Sequence, residues 1–321
     1  MNTNSPSPGG DGDLKADLVT CSFSGDFEIC KLLCESIDRF VPQSIGHTLY
    51  VPERDVALFA PLANTRRRIL TQESLLPRWF WNVPMPGPRW RKLLFLPRRN
   101  IYLTPYSLPV RGWIAQQIMK IAATEASDRQ IVVHVDSDNA FVRPLKYADL
   151  VRDGRVRIYR KPEKVESNFH RRWHEAAGRL LGLPPSDFYD AEYIDQLVVW
   201  RRSVLIAMIA RIGELAGTDW RVALARTPQF AEYILYGVFA DQALGLENAG
   251  LFAEPQTLCL SRWSGDIASE QEENAFVESL LPEHAACLIQ STISVTLEGR
   301  RRLFEKATAK AARQDEGSPH H

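Results

Sequence analysis

Short apolar runs alternate with helical patterns through the first half of the chain, and no other feature limits its fold as strongly. The run Leu18-Val19-Thr20-Cys21-Ser22-Phe23 reads as a buried strand that ends in the loop Ser24-Gly25-Asp26. Phe27, Cys30, Leu33, Ile37 and Phe40 then recur at steps of three and four, which predicts a helix closed by Pro42. The unit repeats, with a strand over 47–51, a short helical piece over 56–62 and a third strand at Arg68-Ile69-Leu70. A helix over 110–123 leads into the strand Ile131-Val132-Val133-His134-Val135. This alternation predicts an α/β fold with a mostly parallel central sheet flanked by helices. In such sheets ligands sit beyond the carboxyl ends of the strands, so the chemistry is expected there.

The second half reads as helix-rich, with helices near 167–181, 195–215, 228–244, 270–281 and 296–312. Short strands fit 156–159, 258–260 and 287–290. Residues 1–13 are rich in Asn, Ser, Pro and Gly, with neither a basic start nor an apolar stretch, so 1–16 is expected to be a disordered tail and not a signal peptide. No repeat or linker divides the rest. A single domain over 17–305 follows, carrying an insertion at 77–109, with a helix end and frayed tail over 306–321.

Lys plus Arg equals Asp plus Glu at 39 each, so no net field favours a nucleic acid and any charge logic is local. The five cysteines, Cys21, Cys30, Cys34, Cys259 and Cys287, are odd in number and contain no CxxC pair, which suits a reducing, cytoplasmic setting. No run of eighteen apolar residues occurs, so no spanning helix is expected, and peripheral attachment at the inner membrane stays open.

The strand at 131–135 ends in Asp136-Ser137-Asp138. A diphosphate leaving group needs its charge neutralised, and a hard cation such as Mn²⁺ or Mg²⁺ on carboxylate oxygens does this. At a strand end the two side chains diverge, so Asp138 can bind metal directly while Asp136 reaches the ribose or a metal-bound water. About one Asp-x-Asp is expected by chance in a chain of this length, and Asp11-Gly-Asp13 is another. Context separates them: an apolar strand precedes the later one, and Asn139-Ala140-Phe141-Val142-Arg143-Pro144-Leu145 follows it.

The strand, the two aspartates and Phe141-Val142-Arg143-Pro144 together resemble the DxD region of GT-A glycosyltransferases. Gly112-Trp113-Ile114-Ala115-Gln116-Gln117-Ile118-Met119-Lys120 and Phe230-Ala231-Glu232-Tyr233-Ile234-Leu235-Tyr236-Gly237 are similar to segments of DUF6492, a bacterial family of uncharacterised, glycosyltransferase-like proteins. The similarity covers most of 18–291. It implies a GT-A, Rossmann-like fold and a sugar-nucleotide donor, without naming the sugar. The expected function is a metal-dependent transfer from a nucleotide-sugar, of the uridine type, to a glycan or lipid-linked acceptor in surface polysaccharide synthesis.

In a GT-A enzyme the end of the first strand holds base and ribose, which makes Thr20, Ser22 and Asp26 donor candidates; capping is the alternative. Asp55 is a further donor contact or a helix N-cap. On the helix before the motif, Ile114, Ile118 and Ile121 form one stripe, while Trp113, Gln116, Gln117 and Lys120 form a second about 100° away. Gln117 and Lys120 would then run along the donor cleft, Lys120 offering a charge to phosphate, or they form a solvated face whose Lys complements the helix dipole. Glu232, beside Tyr233 and Tyr236, is the first candidate for general base in an inverting transfer, with a Glu–Arg pair at the core edge as the alternative; Asp195 and Asp241 are substitutes. His170 and His174 stand four apart without the zinc-protease Glu, so they read as a solvated or acceptor-facing surface.

Many GT-A enzymes take a third metal ligand, often His, from a late segment. Leu260-Ser261-Arg262-Trp263 stands there without one, so water or Ser261 completes the shell, or Arg262 neutralises the diphosphate instead. In the insertion Trp79, Trp81 and Trp90 alternate with Arg78, Arg89, Arg91, Lys92, Arg98 and Arg99, with no acid. Three readings fit: an acceptor lid using Trp81 and Trp90, a patch on anionic lipid, or a loop folded onto the domain. Other functions are a non-catalytic sugar-nucleotide or glycan binder with the same fold, a nucleotidyltransferase, for which Ser22-Phe23-Ser24-Gly25 is poor in glycine, and a phosphohydrolase with Asp136 as nucleophile.

Overall fold

A computed structural model describes residues 14–83 and 101–316. In chain order the strands are β1 (Ala16–Cys21), β2 (Gly46–Val51), β3 (Arg67–Thr71), β4 (Trp81–Val83), β5 (Ile101–Leu103), β6 (Val110–Arg111), β7 (Ile131–Val135), β8 (Asn139–Phe141), β9 (Val151–Arg152), β10 (Arg155–Tyr159), β11 (Leu197–Arg201), β12 (Leu251–Glu254), β13 (Cys259–Arg262) and β14 (Ala286–Ile289). The helices are α1 (Phe27–Phe40), α2 (Val56–Phe59), α3 (Gly112–Ala126), α4 (Asn168–Leu181), α5 (Arg202–Ala216), α6 (Trp220–Ala225), α7 (Glu232–Val238), α8 (Glu270–Glu278) and α9 (Leu297–Glu316).

The central sheet runs β11-β7-β1-β2-β3 and is parallel except for β11. Every residue of β1 and β7 is buried, as strands covered by helices on both faces must be. Leu18 lies opposite His47 on one side and Val133 on the other. Helix α1 buries Cys30, Leu33, Cys34 and Ile37, and α3 buries Ile114, Ile118 and Ile121. Each fully buried Leu or Ile is worth roughly 1.5–3 kcal/mol. The α/β expectation and the parallel sheet therefore hold.

Three further sheets surround this core. The order β13-β14-β8 makes a small sheet whose third strand starts directly after Asp138. A second apolar cluster lies against it, with Leu32, Ala140, Ile289, Phe276, Leu303 and Phe304. The others are β12-β10-β9 and the ribbon β4-β5-β6, whose strands β4 and β5 flank residues 84–100.

Several expected elements differ. The helix expected over 195–215 is strand β11 followed by α5, because Leu197-Val198-Val199-Trp200 is a β-branched and aromatic run buried beside β7. The helix expected over 228–244 is α7 continued by a π-helical turn, Phe239–Leu244. The last helix runs on to Glu316, with Ala307 and Ala311 buried and Gln314 accepting a hydrogen bond from Arg143, so the helix end expected within 306–321 lies at Glu316 and is docked. No helix among the described residues is long and apolar enough to cross a membrane. Of the tail expected over 1–16, residues 1–13 lie outside the described residues, while Ala16 already belongs to β1 and the Lys15 amide donates to Gln130.

Candidate functional site

Strand β7 delivers Asp136, Ser137 and Asp138 to the carboxyl end of the sheet. The turn is closed on Asp136, whose carbonyl accepts from the Asn139 backbone N–H at 3.2 Å and from its side-chain Nδ2 at 3.0 Å. Asp138 is only 9% exposed and takes the Ser291 amide on Oδ2 at 2.9 Å. Burial pushes its carboxyl up to about 6 and the neighbouring Asp136 charge adds to this, against the pull of the Ser291 amide. Among the described residues no basic side chain forms an ion pair with Asp138.

Asp136 is held differently. Lys120 Nζ stands 3.0 Å from Asp136 Oδ1 and 3.4 Å from Glu232 Oε1, and it donates to the Tyr233 hydroxyl at 2.7 Å. An ammonium has three N–H groups, and three acceptors stand around this one. Burial works against the Lys120 charge, but Asp136, Tyr233 and Glu232 outweigh it and raise its pKa well above the ordinary lysine value. Burial likewise raises the Glu232 carboxyl, with Lys120 opposing. Gln117 completes the join: its Oε1 accepts the Glu232 backbone N–H at 3.0 Å, tying α3 to α7.

The polar stripe expected on α3 is therefore split. Gln117 and Lys120 are buried at 2% and 7% exposure, while Trp113 remains 42% exposed. A solvated Lys120 is ruled out by that burial, and a phosphate would have to displace one of its three acceptors. The Glu–Arg pair considered for Glu232 is instead a Glu–Lys pair.

The other donor candidates part company at the end of β1. Asp26 is brought to the motif, where Ser137 Oγ donates to its Oδ2 at 3.4 Å, and burial raises its carboxyl. Asp55 stands at the N-cap position of α2 but its side chain makes no capping hydrogen bond there; it accepts the Ser24 amide at 2.9 Å and so shapes the loop after β1. The Ser22 backbone is fixed by Tyr50 and Gln72. Thr20 is fully buried. Arg67 Nε donates to His47 Nδ1 at 2.8 Å, which leaves the proton of the neutral ring on Nε2, and that nitrogen meets Thr20 Oγ1 at 3.1 Å. Burial and two arginines keep His47 neutral by lowering its pKa well below the ordinary value.

The structure brings Asp195, a substitute candidate for the base, to this end of the sheet and adds Gln196 beside it. Leu197 opens β11 opposite Val135, the last residue of β7, so the preceding Asp195 and Gln196 arrive beside Asp136. They line a cavity of about 280 Å³ with Tyr159, Thr257, Ser261 and Trp263. Asp195 Oδ1 accepts from Thr257 Oγ1 at 2.6 Å and from the Gln196 amide at 2.8 Å. Asp195 Oδ2 and Gln196 Oε1 have no hydrogen-bond partner among the described residues, and burial pushes the Asp195 carboxyl up to about 6. Cys259, on β13, bridges toward the motif, its Sγ 3.3 Å from Asn139 Oδ1. The signal was in the sequence: an Asp-Gln pair ahead of an apolar run marks a strand end once that run is read as a strand.

The remaining candidates lie elsewhere. Arg262 donates to the Gly265 carbonyl at 3.4 Å and forms no hydrogen bond or ion pair with either aspartate among the described residues. Trp81, 53% exposed, lines a cavity of about 410 Å³ with Gln72, Arg78 and Tyr102. Trp90 lies outside the described residues. His170 Nδ1 stands 3.0 Å from Glu192 and His174 3.5 Å; against the push of burial they hold that carboxyl down to about 2. His174 is fully buried, so the solvated or acceptor-facing surface expected of the pair does not hold for it. Asp241 is engaged by Tyr193 and Arg160 at 2.7 and 2.8 Å. No group of three His, Cys, Asp or Glu side chains among the described residues converges as a metal site.

Two structures of LgtC are similar to this chain in three dimensions: an active-site mutant, at 12% identity and a TM-score of 0.45, and the galactosyltransferase LgtC in complex with donor and acceptor sugar analogs, at 11% and 0.43. Each match covers 91% of this chain and 95% of the other. The apo structure of WbbM, a bifunctional glycosyltransferase, matches 97% of this chain and 53% of its own at 9% identity and a TM-score of 0.48. No curated protein matches the sequence. The profile of a family of unknown function, DUF6492, matches residues 16–311, and the chain belongs to that family.

Proposed function

We propose that this protein is a metal-dependent glycosyltransferase that moves a sugar from a nucleotide-sugar, of the uridine type, to a glycan or lipid-linked acceptor in surface polysaccharide synthesis. The observation that carries the reading is the meeting of Asp136 and Asp138, at the end of β7, with the cavity lined by Asp195 and Gln196, at the start of β11. Two carboxylates for a cation and a polar cavity for a sugar then share one end of the sheet.

The residues present fit a hard cation. Asp136 and Asp138 offer only oxygen, and Asp138 is a buried carboxylate with no cationic side chain paired to it, raised to about 6. Asp136 and Asp138 would hold Mn²⁺ or Mg²⁺, and the ion supplies neutralisation of the diphosphate as it leaves. Lys120 keeps Asp136 in place, and Glu232 keeps Lys120 in place. In the transfer the bond from the anomeric carbon to the diphosphate oxygen breaks and a bond to the acceptor oxygen forms. An acceptor hydroxyl that attacks directly gives its proton to a carboxylate. The place of Asp195 in the cavity lining and its raised pKa support it for that step, whereas the contact with Lys120 supports a positioning role for Glu232.

The test is release of free nucleotide from a panel of nucleotide sugars, with Mn²⁺ or with EDTA. Release that needs metal and vanishes in Asp138→Asn supports the proposal. Saturable binding without release over a broad acceptor panel supports a sugar-nucleotide binder, the reading favoured by the lack of a third protein ligand among the described residues.

A further inference from the structure

Beside the mouth of this site lies a surface that the transfer chemistry does not use. Leu108 is 86% exposed, Phe169 63%, Tyr106 46% and Trp113 42%. Isolated exposed apolar side chains are ordinary, but these are joined. The Trp113 and Trp173 rings lie 5.7 Å apart and Phe169 packs on Trp173 at 6.2 Å. Arg226 Nε donates to the Tyr106 carbonyl at 2.9 Å, and Arg172 reaches Gln229, three residues on, at 3.3 Å. One surface thus runs from the 104–109 loop, across the turn after α6, to the start of α4.

Its charge is one-sided. Arg111, Arg171, Arg172 and Arg226 are exposed on it. The carboxylates near it are Glu166, ahead of the N-cap of α4, Glu175, on its third turn, and Asp187, within electrostatic reach of Arg171. Aromatic rings mixed with arginine and tipped by a protruding Leu and Phe match a lipid interface, where rings sit at headgroup depth, aliphatic tips enter the acyl boundary and guanidinium groups meet phosphate.

We propose that this face docks on an anionic lipid bilayer. Trp113 opens the helix whose Gln117 and Lys120, one and two turns later, reach the site, so docking here sets the mouth of the site against the headgroups. Such a placement suits an acceptor presented from a membrane. The docking itself needs no transfer chemistry and is read without donor or metal, so it stands or falls separately from the proposed reaction.

The experiment is sedimentation of the full chain with vesicles of phosphatidylcholine alone, or with about one third phosphatidylglycerol, at low salt. Binding is expected to the anionic vesicles and to be at least roughly tenfold weaker to the neutral ones. Arg171→Gln with Arg172→Gln is expected to weaken it by about fivefold per arginine, and Leu108→Ser with Phe169→Ser by roughly tenfold or more. All four side chains are exposed, and unchanged thermal unfolding confirms that the variants fold. Absence of binding, equal binding to both vesicles, or variants that bind like the parent protein would overturn the proposal.

Discussion

Lys120 Nζ stands 3.0 Å from Asp136 Oδ1, so one carboxylate of the Asp136-Ser137-Asp138 turn is fixed by a helix that precedes its own strand. Removing one partner from a buried charge network leaves the others uncompensated, which costs more than the network contributes when complete. Lys120→Met is therefore expected to lose about 3 kcal/mol of unfolding free energy in urea titration at pH 7.5. Lys120→Met with Glu232→Gln should recover part of this, because the buried carboxylate is then neutral. A single variant as stable as the parent would contradict the network.

Asp195 makes stability depend on pH in a direction unusual for a carboxylate. Its folded pKa, about 6, lies above the ordinary 3.8, so the native state holds the proton more tightly than the unfolded chain. The stabilisation is present below pH 4 and is lost as pH rises through about 6. Asp195→Asn removes the penalty: at pH 7.5 the variant should be more stable than the parent by about 3 kcal/mol, and the difference should largely vanish near pH 4. A variant less stable at pH 7.5 would sink this reading. Loss of turnover alongside the gain would mark Asp195 as functional, since active groups are commonly kept at a cost in stability.

Asp138→Asn separates the cation role from folding. The substitution keeps the acceptor oxygen for Ser291 while removing a desolvated charge, so thermal stability at pH 7.5 should hold or rise. Metal-dependent nucleotide affinity should fall by roughly a hundredfold. Full affinity in the variant would remove Asp138 from the metal site.

Arg300, on the last helix, braces the loop that holds the same aspartate. It is 1% exposed, and its guanidinium donates to the carbonyls of Ile289, Gln290 and Ile293, the loop that carries the Ser291 amide. Arg300→Met leaves three carbonyls short of a donor, and about 2–3 kcal/mol of stability should be lost. Metal affinity should weaken too, because the Ser291 amide is no longer held against Asp138. Arg300→Lys should restore part of both, read by urea titration and Mn²⁺ titration.

How much of this was legible varies with where a residue's partners lie in the chain. Strands β1 and β7, helix α1 and the strand-end position of Asp136 and Asp138 follow from local periodicity, because both faces of the sheet are covered and the runs are apolar throughout. Asp195 was read as a substitute base inside a helix, and its strand-end place beside Gln196 was obscured because Leu197 to Trp200 runs straight into a helix and shares its apolar character; only pairing with β7 makes it a strand. The burial of Lys120 depends on Glu232 and Tyr233, more than a hundred residues away, which spacing along α3 does not reveal. The Arg67–His47–Thr20 chain is likewise hidden, since an arginine at a strand start reads as surface until its partners are known.

Calorimetric titration of nucleoside diphosphates into the protein, with Mn²⁺ and with EDTA, tests the donor site most directly. The account predicts that UDP binds with Mn²⁺, that EDTA abolishes the heat, and that Asp138→Asn does the same. No binding to any nucleotide, or binding that is equal in EDTA, would contradict it.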